Sequence, residues 1–186
     1  PITGYDHKHY HDISVYHKSN MHVTHVDNIS IPQVATAIVQ IHSNNTKTNP
    51  IHTIINLYRR PNRNPNFTQD LETAIKTILT KHPTTTITIQ GDININLLQL
   101  TQQHHFFNFL IENNLHTAIT TPTRYDETHN TSTLIDVVLT TAIDTTITAG
   151  TISPPLSDHL PTYATFHKPV PRQKKAQIKT LSPRRH

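Results

Sequence analysis

Thr85-Thr86-Ile87-Thr88-Ile89-Gln90-Gly91-Asp92-Ile93-Asn94 decides the fold. From Thr85 to Gln90 polar and β-branched residues alternate, the period-two pattern of a half-buried strand, and the pattern stops at a glycine followed by a carboxylate and an amide. The chain has three glycines, Gly4, Gly91 and Gly150, so one placed at a strand end is informative by its rarity. If the backbone stays extended, Asp92 and Asn94 project to the same side, an anion beside a neutral donor and acceptor. That pairing suits activation of water next to a phosphate, whereas the tetrapeptide alone reads first as a turn.

Helical patterns flank this strand. Phe67, Leu71, Ala74, Ile75, Ile78 and Leu79 recur at helical spacing after Asn66, and Pro83 closes the segment just beyond His82. Residues 101–114 read as a second helix carrying Phe106, Phe107, Phe109 and Leu110. Further out, Ile13–Tyr16, Val34–Ile41 and Ile51–Leu57 are β-branched runs bounded by polar residues, so three strands open the chain. After Pro122 a polar loop leads to a strand from Leu134 to about Thr140, another over Thr145–Ile152 and a last one over Tyr163–Phe166. The order implies an α/β domain in which helices cover sheets.

At 186 residues the chain holds one domain with a sizeable core, expected over residues 1–167. Residues 168–186 carry seven Lys/Arg and no acid, leaving nine bases against twelve acids in the remainder, so the net charge of +4 comes from a basic, Pro-containing tail. Such an arm, with Lys174 and Lys175 at its centre, attracts polyanions in a salt-dependent manner or serves as a solvated linker. There is no cysteine, which excludes disulfides and thiolate metal sites and leaves carboxylate, amide and imidazole ligands, a set that favours Mg²⁺ or Mn²⁺. No apolar run reaches the roughly 18 residues of a membrane span, and no signal-peptide pattern opens the sequence. The expectation is an intracellular protein without membrane contact, monomeric, with the nucleus as the compartment to test.

Two more polar clusters meet β-type runs. In Leu134-Ile135-Asp136-Val137-Val138-Leu139 a carboxylate interrupts an apolar strand, and a buried charge needs a partner. Ser157-Asp158-His159-Leu160-Pro161 follows Pro154-Pro155, a stiff approach that would present an imidazole able to donate to a phosphoryl oxygen, with a neighbouring carboxylate to orient it. Tyr58-Arg59-Arg60-Pro61-Asn62, with Arg63 close behind, places a phenol and guanidiniums at another strand end, where they could contact a phosphate backbone or stay solvated; Arg124 has the same two readings. Asp6-His7-Lys8-His9-Tyr10-His11-Asp12 could be proposed as a transition-metal site, but no nearby group completes a shell, and a His-rich polar edge is the commoner outcome.

Taken in order, Tyr58, Gly91-Asp92-Ile93-Asn94, Thr123-Arg124, Leu134-Ile135-Asp136 and Ser157-Asp158-His159-Leu160-Pro161 resemble the endonuclease/exonuclease/phosphatase family. The phrases Asn56-Leu57-Tyr58-Arg59-Arg60-Pro61-Asn62 and Pro122-Thr123-Arg124 look like its apurinic-type endonuclease branch from non-LTR retrotransposons. This resemblance implies a four-layer α/β sandwich of two mixed β-sheets flanked by helices, and a metal-dependent attack of water on a DNA phosphodiester. It implies that Asp92 activates or orients the water and Asn94 holds it or the phosphate. His159, oriented by Asp136, would stabilise the phosphorane-like charge, while Asp158 and Asp92 would lie at the metal and Tyr58 at the phosphate. Arg59, Arg60, Arg63, Arg124, Lys174 and Lys175 would face the nucleic acid. The family's N-terminal asparagine motif and its metal-binding glutamate have no counterpart in residues 1–57, so the expectation is a domain truncated before its first strands.

Two functions follow from this reading. The first is a DNA-nicking phosphodiesterase, the endonuclease domain of a retroelement polyprotein linked to a reverse transcriptase. The second is a catalytically inactive nucleic-acid-binding remnant of such a domain. A phosphatase of the same fold acting on another substrate is a third, disfavoured by the arginine cluster.

Overall fold

The computed structural model describes residues 5–10, 13–43, 46–142, 147–153 and 157–167, and the tail with Lys174 and Lys175, together with His11, Asp12, Pro154 and Pro155, lies outside the described residues. The elements run β1 (Tyr5–Tyr10), β2 (Ile13–Lys18), β3 (Val23–Val26), β4 (Ala35–Ser43), β5 (Thr46–Tyr58), α1 (Phe67–Lys81), β6 (Thr86–Asp92), α2 (His105–Glu112), β7 (His116–Thr117), β8 (Arg124–Asp126), β9 (Thr131–Thr133), β10 (Asp136–Thr140), β11 (Ile147–Thr151) and β12 (Thr162–Phe166). A single 3₁₀ turn, Leu97–Gln99, precedes α2.

Six strands form a mixed sheet in the order β3-β4-β5-β6-β10-β7. Only β5 and β6 are parallel, joined by α1, while β10 enters antiparallel between β6 and β7. One face carries Ile38, Ile55, Leu57, Ile87, Ile89, Val137 and Leu139 and is covered by Phe67, Leu71, Ala74, Ile75 and Ile78 of α1 with Phe106 and Phe109 of α2. This is the main core, where each large aliphatic or aromatic side chain taken out of water contributes about 1.5–3 kcal/mol. On the other face Val138, Ile119 and Leu134 meet Ile147, Ala149 and Ala164 of the β11–β12 ribbon. The β1–β2 ribbon lies over β4 and β5. Among the described residues the second layer is thus two separate two-stranded ribbons, with both helices on the far side of the six-stranded sheet.

A mixed α/β fold with a multi-strand mixed sheet is what the sequence implies, and the helix over 67–81 and the strand ending at Asp92 lie where its periodicity places them. Several elements differ. The second helix starts at His105 because His104 Nδ1 accepts from Phe106 N–H and caps it there, leaving 101–104 as a turn. The polar loop after Pro122 contains the hairpin β8–β9, and β3 is a further strand, both too short for alternation to show. Asp136 opens β10 rather than interrupting it: Ile135 O accepts from Ile93 N and Leu134 O from Leu97 N, so those two residues bond to the loop after β6.

Buried threonines join the layers. Thr140 Oγ1 gives its single proton to Ile87 O (3.0 Å), so Thr88 Oγ1 must donate to Thr140 Oγ1 (2.9 Å) and accept from His52 Nε2 (2.7 Å). The ring of His52, fixed as its Nε2–H tautomer, stands edge-on to Phe166 of β12 with centroids 4.4 Å apart. Its burial pushes the imidazole pKa down to about 4.

Candidate active site

The parallel strands β5 and β6 end level with one another, Tyr58 opposite Asp92, and the antiparallel β10 begins there with Asp136 opposite Asp92. Three strands from distant parts of the chain therefore deliver polar groups to one sheet end, a position where ligands commonly bind in α/β sheets.

Gly91 permits this. It has φ +124°, and a Cβ there would lie 2.0 Å from Leu57 O, so the close approach of β6 to β5 needs a residue without a side chain. Beyond it Asp92 Oδ1 accepts from Asn94 N (2.8 Å) in an Asx turn, with Asn94 at φ 49°. Of the two readings of this tetrapeptide, a turn or a pair of site residues, the turn is what the backbone forms, and it leaves Asp92 at the sheet end. Asn94 Nδ2 donates to Arg59 O (2.8 Å), and Arg59 N donates to Asp92 O (2.9 Å). Burial pushes the pKa of Asp92 above the usual carboxylate range; the Asn94 N–H opposes this, and the neighbouring Asp136 carboxylate adds to the rise.

The loop 157–161 brings in the imidazole. His159 Nδ1 lies 2.8 Å and 3.0 Å from the two oxygens of Asp136. A carboxylate only accepts, so Nδ1 carries the proton and Nε2 is left for chemistry. Asp136 is held in turn, since its backbone N–H donates to Thr123 Oγ1 (3.0 Å), as does that of Ile135 (3.3 Å), and Thr123 is fully buried. Hydrogen bonds from Leu160 N to Thr123 O and from Tyr125 N to Asp158 O, with a bridge between Arg124 and His159, tie the loop to the β8–β9 hairpin. Thr123 and Asn96, whose Oδ1 accepts from Leu98 N and Leu134 N, are supports that motif reading did not assign a role. Their signal, one Thr or Asn in a loop between elements, is too common to stand out.

Asp92, Asp136 and His159 each offer a ligand atom within 4.8 Å of the others, the one such group among the described residues. Two carboxylates at one strand end, the first desolvated and its charge opposed by the second, form a donor set that a hard divalent cation fits. Asp158 stands outside this group. Its Oδ2 takes Arg124 Nε at 2.8 Å, a pairing that holds the Asp158 carboxyl below its usual range and raises Arg124. Tyr58 is partly exposed beside Asp92, and Arg60 and Arg63 are exposed on the loop that follows. Asp27 is ion-paired with Lys8 at 2.6 Å, away from the group.

A family model described as endonuclease-reverse transcriptase matches residues 52–163. No curated protein sequence matches the chain. Among solved structures, the endonuclease domain of TRAS1, a telomere-specific non-LTR retrotransposon, superposes with a TM-score of 0.59 at 15% identity, over 80% of this chain and 68% of that one. An endonuclease/exonuclease/phosphatase family protein from Bacteroides thetaiotaomicron gives 0.55 at 11% identity, over 87% and 74%. Truncated TDP2 of Caenorhabditis elegans gives 0.51 at 14%, over 89% and 68%. At these identities the structures establish a common fold. The matched segment runs from within β5 into β12 and contains Asp92, Asn94, Asp136 and His159, and on that match the chain belongs to the endonuclease-reverse transcriptase family, with the fold of endonuclease/exonuclease/phosphatase proteins.

Proposed function

We propose that this chain is a DNA-nicking endonuclease domain of a retroelement polyprotein, a phosphodiester hydrolase dependent on Mg²⁺ or Mn²⁺, with residues 1–167 as its domain and the basic tail as a linker or nucleic-acid arm. The observation that carries the reading is the Asp136–His159 pair set beside Asp92 at the end of β6. One Asp92 oxygen is committed to the Asn94 N–H, leaving the other to orient a water and take its proton, and burial makes this carboxylate more basic, as a general base requires. His159, locked through Nδ1 by Asp136, donates from Nε2 in its protonated form to a phosphoryl oxygen as charge builds there. Water attacks phosphorus, the P–O bond to the leaving sugar oxygen breaks as that oxygen takes a proton from solvent, and the strand is nicked. Asn94 holds the loop and faces the water or the phosphate, and the Tyr58 phenol contacts the phosphate. The cation would be held at the Asp92 and Asp136 carboxylates, with Asp158 the next carboxylate at hand. When bound it supplies Lewis-acid polarisation of the phosphoryl oxygen. Arg60, Arg63, Lys174 and Lys175 contribute backbone attraction, and Arg124 does so where Asp158 releases it.

The test is relaxation of supercoiled plasmid by the purified chain in Mg²⁺ or in EDTA, against His159→Ala and Asp136→Asn. Nicks should form only with metal, and each substitution should slow nicking by about 100-fold or more. Equal rates in wild type and variants would refute the site. A folded wild type that is inert in Mg²⁺ and Mn²⁺ yet still retards DNA would support the remnant reading instead.

A further inference from the structure

Arg59 sits in the arginine cluster that the sequence reads as a DNA contact, and the structure turns it the other way. Its backbone N–H donates to Asp92 O, its carbonyl accepts from Asn94 Nδ2, and its guanidinium Nη1 donates to Ile93 O at 3.1 Å. Three consecutive residues of the candidate catalytic loop are thus bonded to this one residue. The guanidinium lies over the ring of Phe67, 5.1 Å from its centroid, and Phe67 itself is buried at the start of α1. Arg59 Nε is buried without a hydrogen-bond partner, and the half-buried side chain lies between the loop and α1.

We propose that Arg59 is a positioning residue that holds the Asp92–Asn94 loop in its reactive form, and that it does not bind the DNA backbone. The proposal rests on the nuclease reading of the site. The loop needs such support, because Asn94 is held at φ 49°, a conformation that side-chain-bearing residues adopt at a cost, and Ile93 O takes its hydrogen bond from the guanidinium. Asp92 lies close enough for its charge to favour the guanidinium against the burial that disfavours it. Lysine cannot replace the arginine, since only a forked guanidinium sits over the Phe67 ring while one of its nitrogens reaches the carbonyl. Arg60 and Arg63, exposed on the next turn, are left as the DNA-facing members of the cluster.

The experiment compares the full chain with Arg59→Met and Arg59→Lys in three measurements. Amide hydrogen exchange in EDTA, without DNA, should accelerate at least about ten-fold at Ile93 and Asn94 in Arg59→Met and stay unchanged at Ile87 and Ile89. DNA affinity and its salt slope should change by less than about two-fold, whereas loss of a phosphate contact would lower the slope by about one. Nicking should lose about 100-fold in kcat with KM unchanged, be recovered poorly by lysine, and be partly restored to Arg59→Met by added guanidinium ion. Unchanged loop exchange, or weakened DNA binding with unchanged kcat, would overturn the proposal. Exchange and affinity are read without cleavage, so an inactive wild type would refute the nuclease reading while these two still decide the role of Arg59.

Discussion

Replacing Gly91 by alanine should be among the most damaging single changes in this protein. At φ +124° an L-residue is strained by roughly 1–2 kcal/mol before any contact is considered. The added Cβ would lie 2.0 Å from Leu57 O and 3.0 Å from Leu57 C, in the strand that pairs with β6 at this register. The obstacle is backbone on the next strand rather than the end of a flexible side chain, so β5 and β6 must part by about an ångström at their junction, weakening a ladder hydrogen bond and core contacts worth roughly 2–3 kcal/mol. The sum, about 3–5 kcal/mol, corresponds to a fall in Tm of roughly 10–15 °C for a domain of this size. Thermal and urea melts followed by circular dichroism measure it, with Gly150→Ala as the internal comparison. There the Cβ would meet only the Tyr163 ring, at 3.2 Å, a side chain on a surface ribbon that can move, so the loss should stay below about 1 kcal/mol. A Gly91→Ala protein melting within about 3 °C of wild type, or equal losses at both glycines, would refute the argument that strand approach at Leu57 demands a glycine.

Acid should destabilise the fold through His52: its imidazole is held to about 4 when folded and titrates near 6.5 when unfolded, so below pH 6.5 the unfolded chain takes up a proton that the folded one refuses. Stability then falls until about pH 4, by up to roughly 3 kcal/mol, and is unaffected above pH 7. Urea midpoints at pH 7.5 and 4.5 should converge in His52→Gln relative to wild type, and an identical pH dependence in both would contradict this. Asn64→Ala should cost about 2–4 kcal/mol, because Asn64 is buried at φ 51°, donates to Pro32 O and Asp70 Oδ2, and accepts from Asn66 N just ahead of α1. Denaturant melts in which Asn64→Ala matches wild type would show that these bonds are replaced by water without loss.

How far the sequence was legible depends on the range of the interactions involved. Phe67 to Ile78 and Thr86 to Asp92 were readable because periodicity is local, and the three polar clusters were readable because each breaks a run of apolar or β-branched residues. What could not be read is pairing. Local pattern near Asp136 does not announce His159, a pairing that came only from the family resemblance, and the ion pair of Arg124 with Asp158 joins two residues read separately as a DNA contact and a metal ligand. Arg59 shows the same limit, since its neighbours Arg60 and Arg63 look identical in sequence and only the tertiary position of Phe67 separates them. The short strands β3, β7, β8 and β9 were missed because their order comes from the partner strand, and a run of two to four residues is too short for a period to show.

The place of β10 in the sheet has a consequence for how the protein is made. This strand, inserted between β6 and β7, brings Asp136 to Asp92, and the imidazole arrives only with the loop before β12. A growing chain can complete α1 and the β5–β6 pair early, but it cannot own the Asp92–Asp136–His159 group until the loop through Pro161 has left the ribosome. A nascent or prematurely terminated chain would therefore carry the Asp92 loop without its imidazole, so anything that needs the assembled group waits until most of the domain has been synthesised.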